Sequence, residues 1–275
     1  MGTPRLDVER YRVPAGTVVD LANWPTSDHE HSGSHKNDAT RQLAELNEKL
    51  ADLQNLLAAG RQHKVLVVLQ GMDTSGKDST IKHVFRTINP LGVTAINFKR
   101  PNDAEAAHDY LWRVHQRVPE AGRLTIFNRS HYEDVLVPRV HRLVPEEVWR
   151  RRYGHIADFE RMLADEGTII RKFFLHISRQ EQRRRLEERL RNPRKQWKFQ
   201  HGDLEERKLW DDYQLAYAEA ISRTSTEQAP WYIVPADHKP YRNLVVSTVL
   251  IEALESLGMS YPRPAGDLDS ITVED

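Results

Sequence analysis

The sequence predicts a three-layer α/β fold built around a parallel sheet. Short β-rich apolar runs alternate with long helical patterns, which is the signature of βαβ units. A glycine-rich loop stands between the first such run and a helical segment. No Pro/Gly/Ser-rich linker divides the 275 residues, so one large domain with appendages is expected.

Residues 1–37 are poor in aliphatics and read as an extended N-terminal arm carrying turns rather than as a packed unit. His29, His31 and His35 lie in that arm without a thiolate or an organised carboxylate, so no metal is assigned to them. From Asp38 the spacing of Ala39, Leu43, Leu46, Leu50, Leu53 and Leu57 gives one apolar stripe on a helix. Core packing explains such a stripe, and a leucine seam between copies, hence a homo-oligomer, is the second reading.

The next run, KVLVVLQ, is a strand; it is followed by GMDTSGKDST and by IKHVFRTIN at helical spacing. Further strands are expected at 93–98, 124–127, 169–177 and 231–234, and late helices at about 179–191, 203–224 and 240–258. The main domain thus spans 38–262, with a basic lid at about 180–202 and a tail at 263–275.

Composition narrows the function. Forty basic and forty acidic residues give a formal net charge of zero, which argues against a nucleic-acid or anionic-membrane binder and makes any polyanion site local. The absence of cysteine excludes disulfides, thiolate zinc sites and cysteine nucleophiles. The N-terminal stretch lacks an apolar run of signal-peptide length, and the run at 65–69 is too short to span a bilayer, so a cytoplasmic protein is expected.

Gly71-Met72-Asp73-Thr74-Ser75-Gly76-Lys77 fits G-x-x-x-x-G-K between a strand and a helix, the context that a P-loop NTPase-type fold requires. Its glycines let backbone N–H groups converge, the helix N-terminus adds positive potential, and Lys77 supplies a cation. Gly71, Thr74, Ser75, Gly76, Lys77, Asp78, Ser79 and Lys82 are the expected phosphate contacts. The hydroxyl residue that normally follows the lysine and ligates magnesium is Asp78 here. A carboxylate inside the loop is costly among phosphates unless a cation intervenes, so Asp73 is the expected ligand of Mg2+, with Mn2+ as a substitute.

The strand at 124–127 runs into Asn128-Arg129-Ser130-His131-Tyr132-Glu133-Asp134. Ligands bind beyond the carboxyl ends of parallel strands, which makes this stretch the second half of the site. Asn128 can bond a metal-held water, and Arg129 has the planar fork that suits phosphate oxygens. Glu133 and Asp134 are either site carboxylates or helix caps.

Arg183, Arg184, Arg185, Arg189, Arg191, Arg194, Lys195 and Lys198 crowd one helix and the loop after it. A mobile arm of this kind can neutralise spreading charge in phosphoryl transfer. About half of these side chains are expected to be plain surface, because residues on opposite helix faces cannot all point inward. Most of the tryptophans are expected in the core, with Trp197 a candidate for stacking on a base.

The segments VLQGMDTSGKDSTIKHVF, IFNRSHYEDVLVPRV, NPRKQWKF, WDDYQLAYAEAISRTST and APWYIVPADHK together resemble the polyphosphate kinase 2 enzymes, class III. The resemblance covers nearly the whole chain after the arm. It implies a thymidylate-kinase-like fold, magnesium dependence, and transfer of a terminal phosphoryl group from inorganic polyphosphate to a purine nucleotide, AMP and/or ADP, with GMP or GDP as further acceptors. By position it implies catalytic roles for Asp73, Lys77, Asn128 and Arg129, an association of Glu133 with AMP acceptance, and lid cations at Arg183, Arg189, Lys195 and Lys198.

Two rivals remain on the residues alone: an ATP-dependent nucleoside monophosphate kinase, and a non-catalytic polyanion-binding P-loop protein. Direct in-line transfer is the expected mechanism, and a phosphohistidine at His131 is the other route.

Overall fold

The computed structural model describes residues 6–28 and 36–264, with positions 266 and 273 in addition. His29, His31 and His35 lie outside the described residues. Six strands form one sheet: β1 (Arg12–Val13), β2 (Lys64–Gln70), β3 (Val93–Asn97), β4 (Leu124–Asn128), β5 (Thr168–His176) and β6 (Trp231–Pro235), in the spatial order β1-β6-β5-β2-β4-β3. Among the described residues, β2 to β6 pair in parallel, and β1 is the one antiparallel partner, at the edge.

The central strands are apolar on both faces because helices cover both. Val65 to Leu69 of β2 are each at most 1% exposed, as expected for a strand buried between two helical layers. One layer is made by α1 (Lys36–Gly60), α2 (Lys77–Val84) and α10 (Lys239–Glu255), which pack on one another. The other contains α5 (Glu133–Val140), α6 (Glu146–Asp165) and α9 (Trp210–Thr224). Short α3 (Asp103–Ala106) and α4 (Trp112–His115) link β3 to β4. α7 (Arg179–Arg191) leads through a short 3-10 turn at Gln196–Lys198 to α8 (Gly202–Lys208).

The stripe of α1 is spent inside the protein: Leu50 and Leu57 are fully buried, and Leu46 and Leu53 pack against the same core. Burial of each leucine is worth about 1.5–3 kcal/mol, so the core reading accounts for the spacing without a partner copy.

Two expectations are corrected. The described part of the N-terminal arm is extended but packed: Val8, Tyr11, Val13, Val19 and Leu21 belong to the core cluster. Tyr11 donates to Asp28 (2.6 Å) and shares a hydrogen bond with Tyr241 (2.7 Å), while β1 closes the sheet edge against β6. The segment contributes single apolar side chains between turns, a spacing with neither helical nor strand period. The helix expected at 203–224 is two helices, α8 and α9, joined at Leu209 (φ −88°, ψ 20°), where no proline or glycine marks the break. Among the described residues, no helix is long and apolar enough to cross a membrane.

Candidate active site

β2 and β4 lie side by side with Leu69 opposite Asn128, and the Arg129 N–H continues the ladder onto the Leu69 carbonyl (3.1 Å). This register brings the chain leaving β2, the glycine-rich loop, beside the chain leaving β4. The sequence placed both motifs at strand ends; their adjacency follows from the parallel order.

The loop needs its glycines for space as well as for dihedral freedom. Gly71 has φ 148° and Gly76 φ 104°, values that L side chains rarely adopt. A Cβ on Gly71 would stand 2.8 Å from the Leu175 carbonyl oxygen of neighbouring β5. Thr74 is also left-handed (φ 66°). Its Oγ1 and that of Ser75 are buried and without a hydrogen-bond partner in the described protein, and both hydroxyls can donate to phosphate oxygens.

Lys77 opens α2 and folds back over the loop, its Nζ donating to the carbonyls of Gly71 (2.7 Å) and Met72 (3.3 Å). Burial first, and then the charge of Arg129, push its ammonium down to about 8. Asp78 points across to β4: Asn128 Nδ2 donates to its Oδ1 (2.8 Å), and Lys198 approaches its Oδ2 at 3.6 Å. Those contacts outweigh partial burial and hold the Asp78 carboxyl below its ordinary range. Ser79 faces Arg242 (3.4 Å), whereas Lys82 is exposed further along α2.

Arg129 sits at the centre. It is left-handed (φ 60°), a conformation unusual outside glycine and asparagine, and its guanidinium donates to Asp73 Oδ1 (2.8 Å) and stands 3.9 Å from Glu133 Oε2. Two carboxylates, from loop and from α5, thus share one arginine fork. Burial pushes the Glu133 carboxyl up, against the opposing charges of Arg129 and Lys77. Asp134, one residue on, turns away to Arg113 (3.5 Å). Of the two acids left open by the sequence, Glu133 lies beside Arg129 and the loop, and Asp134 faces Arg113.

Beneath this turn lies a buried ionic cluster that the sequence did not announce. Lys172 of β5 donates to Glu160 of α6 (2.5 Å), to Tyr132 (3.0 Å) and to the Thr224 carbonyl (2.7 Å). His131 Nε2 lies 3.1 Å from the same carboxylate, and His131 is 0% exposed. Burial alone would push the Glu160 carboxyl up; the charge of Lys172 brings it below its ordinary range. A histidine so enclosed counts against the phosphohistidine route, and His131 packs beneath the Arg129 turn.

The basic segment is unlike the loop. Arg183 is 73% exposed and pairs with Glu187 (2.9 Å) on the outer face of α7. Arg189 pairs with Asp203 (3.2 Å), and Lys195 with Glu188. Among the described residues, Lys198 is the one of the four expected cations that meets the first turn of α2, at Asp78. Trp197, 75% exposed, donates to the Arg194 carbonyl (3.1 Å) and carries the Lys198 ammonium 5.0 Å from its ring. The side chains that do reach the loop from α7 are others. Gln182 donates to the Asp73 carbonyl (3.1 Å), and buried Arg185 donates to the carbonyls of Thr74 (3.0 Å) and Ser75 (2.9 Å).

The sequence model described as Polyphosphate kinase 2 (PPK2) matches residues 33–261. The chain belongs to the polyphosphate kinase 2 family. A relative from Meiothermus ruber, named AMP/ADP-polyphosphate phosphotransferase, is 56% identical over 97% of this chain and 100% of its own. One from Rhodopseudomonas palustris, named ADP-polyphosphate phosphotransferase, is 45% identical over 94% of this chain and 93% of its own. The crystal structure of polyphosphate kinase 2 from Arthrobacter aurescens TC1 matches with a TM-score of 0.91 at 41% identity, covering 95% of this chain and 93% of that one.

Proposed function

We infer that this protein is a polyphosphate-dependent nucleotide kinase that moves the terminal phosphoryl group of inorganic polyphosphate onto AMP and ADP. The observation that supports this most is the joined loop and Arg129 turn, within a chain that aligns end to end with a relative named AMP/ADP-polyphosphate phosphotransferase. An ATP-dependent monophosphate kinase could use the same loop; the full-length similarity to polyphosphate enzymes favours polyphosphate as donor.

In this reading the loop N–H groups, the Thr74 and Ser75 hydroxyls and Lys77 receive phosphate oxygens at the N-terminus of α2. Lys77 leaves its loop carbonyls for those oxygens when they arrive. Arg129 steadies the migrating group, held at the right angle by Asp73 on one side and Glu133 on the other. Asn128 and Lys198 hold Asp78 clear of the transfer path. Lys195, Arg189 and Lys198 bring the lid segment's charge onto the outgoing polyphosphate, Arg189 by exchanging Asp203 for phosphate. Phosphoryl transfer asks the protein mainly for positioning and charge neutralisation, and these residues supply both. Glu133 is the residue we assign to AMP acceptance. A cytoplasmic location is part of the same proposal.

The residues suit a divalent cation. Among the described residues, no three histidines or acids gather into a cage. Asp73 and Glu133 beside one arginine form the sparse carboxylate set that Mg2+ accepts when phosphates and waters complete its shell. Asp73 is the ligand we assign, with Mg2+ as the ion and Mn2+ as its substitute; the bound ion would neutralise adjacent phosphate oxygens.

The test is an assay with polyphosphate as sole donor and AMP, ADP, GMP or GDP as acceptor. ADP and AMP are expected to be phosphorylated. Turnover with ATP and AMP but none with polyphosphate would support the monophosphate-kinase reading instead.

A further inference from the structure

Two guanidiniums from distant parts of the chain converge behind the phosphate loop. Arg185 of α7 is conventionally satisfied: Nε donates to Glu181 (2.6 Å), and the other nitrogens donate to loop carbonyls and to the carbonyl of Ala236 (2.6 Å). Arg242, in the first turn of α10, is different. It is 0% exposed, yet its hydrogen-bond partners are neutral: Ser75 O (3.2 Å), Ser79 Oγ (3.4 Å) and Asn243 Oδ1 (2.9 and 3.1 Å). Burial, and then the positive charge of Arg185, push its pKa down to about 9. Burying a cation against neutral acceptors is expensive, and the protein does so directly under its anion loop.

Backbone geometry shows what the arrangement does. In a trans peptide the C=O and the following N–H point in opposite directions. Both guanidiniums hold the Ser75 carbonyl on the buried side, so the Gly76 N–H is turned away from that side. A Cβ at Gly76 would stand 2.1 Å from Arg242 Nη1 and 3.7 Å from Arg185 Nη1. The second glycine of the motif is favoured by its own φ of 104°, and a side chain there would oblige the Arg242 guanidinium to shift.

We propose that Arg242 is a positioning residue for phosphoryl transfer, which orients the Ser75–Gly76 peptide towards incoming phosphate and holds a buried positive charge whose counter-charge is the substrate's phosphate chain. The proposal rests on the loop being the phosphate site. It separates two contributions: the charge acts on affinity, and the planar fork, through peptide orientation, acts on kcat.

The experiment compares wild type with Arg242→Met and Arg242→Lys by thermal unfolding, tripolyphosphate affinity and steady-state kinetics. Arg242→Met removes a costly buried charge, so its ligand-free Tm is expected at or above wild type while its tripolyphosphate Kd weakens by about tenfold or more. Arg242→Lys restores affinity but not kcat. A merely structural arginine gives the opposite pattern, a lower ligand-free Tm in Arg242→Met, and that result, failure of this variant to fold, or wild-type tripolyphosphate affinity in it overturns the proposal. Absence of tripolyphosphate binding by wild type would count against the donor reading instead; the same comparison with ADP as probe then judges Arg242 alone.

Discussion

The phosphate loop and the basic segment both carry cations, but they hold them in opposite ways. Lys77, Arg185 and Arg242 are buried, and their bonds to loop carbonyls fix them before any substrate arrives. Arg183, Lys195 and Arg191 are exposed and spend their charge on glutamates of α7. Preorganised charge in a dry setting stabilises a transition state strongly, whereas exposed pairs are worth little. Charge count alone therefore says less than where the charge is held, and mutations in the two regions should differ by orders of magnitude.

The largest effects belong to the loop. Asp73→Ala and Lys77→Ala are each expected to lower kcat/KM by about a thousandfold with the fold intact by circular dichroism; metal-dependent turnover retained in Asp73→Ala would remove it as the ligand. Arg129→Lys keeps the charge but loses the fork shared between Asp73 and Glu133, and a fall of about a hundredfold is expected, mostly in kcat.

A pH series sharpens the same contrast. The Lys77 ammonium is held at about 8, below its ordinary 10.5, so between those values the unfolded chain binds more protons than the folded one. Ligand-free stability contributed by this residue therefore rises with pH across that window. Phosphate affinity, which needs the ammonium, falls over it, by up to about tenfold per pH unit. Isothermal titration with tripolyphosphate from pH 7 to 9.5 reads this directly, and a flat profile would mean that Lys77 does not carry the binding.

The smallest effects belong to the lid. Lys198→Ala should raise the KM for polyphosphate several-fold, to about fivefold, and flatten its salt dependence, since it touches Asp78 across the cleft. Arg183→Ala should change stability by less than about 1 kcal/mol and leave kcat/KM within about twofold of wild type. Equal losses in these two variants would break the distinction between the outer face of α7 and the turn at Gln196–Lys198.

These differences also mark how far the sequence reaches. The parallel strands and the loop were legible because buried strands read as continuous apolar runs and glycines punctuate a tight anion turn. The position of Asn128 and Arg129 beside the loop was legible because both lie at the end of a strand in a parallel sheet. Arg242 and Lys172 were not, since each meets its partners only through the tertiary fold: Arg242 lies 167 residues from Ser75, and Lys172 reaches Glu160 across the interface between β5 and α6. Arg185 was seen as one arginine in a crowded run, and only its burial separates it from Arg183. The packing of Tyr11 and Leu21 escaped because isolated apolar residues carry no period.

The central claim is that this loop receives polyphosphate as a phosphoryl donor. Phosphorus-31 NMR of purified protein with ADP, Mg2+ and polyphosphate tests it most directly. The γ-phosphate resonance of ATP is expected to grow as the polyphosphate chain signal falls, with little free orthophosphate. An unchanged polymer spectrum beside intact ADP would contradict the account.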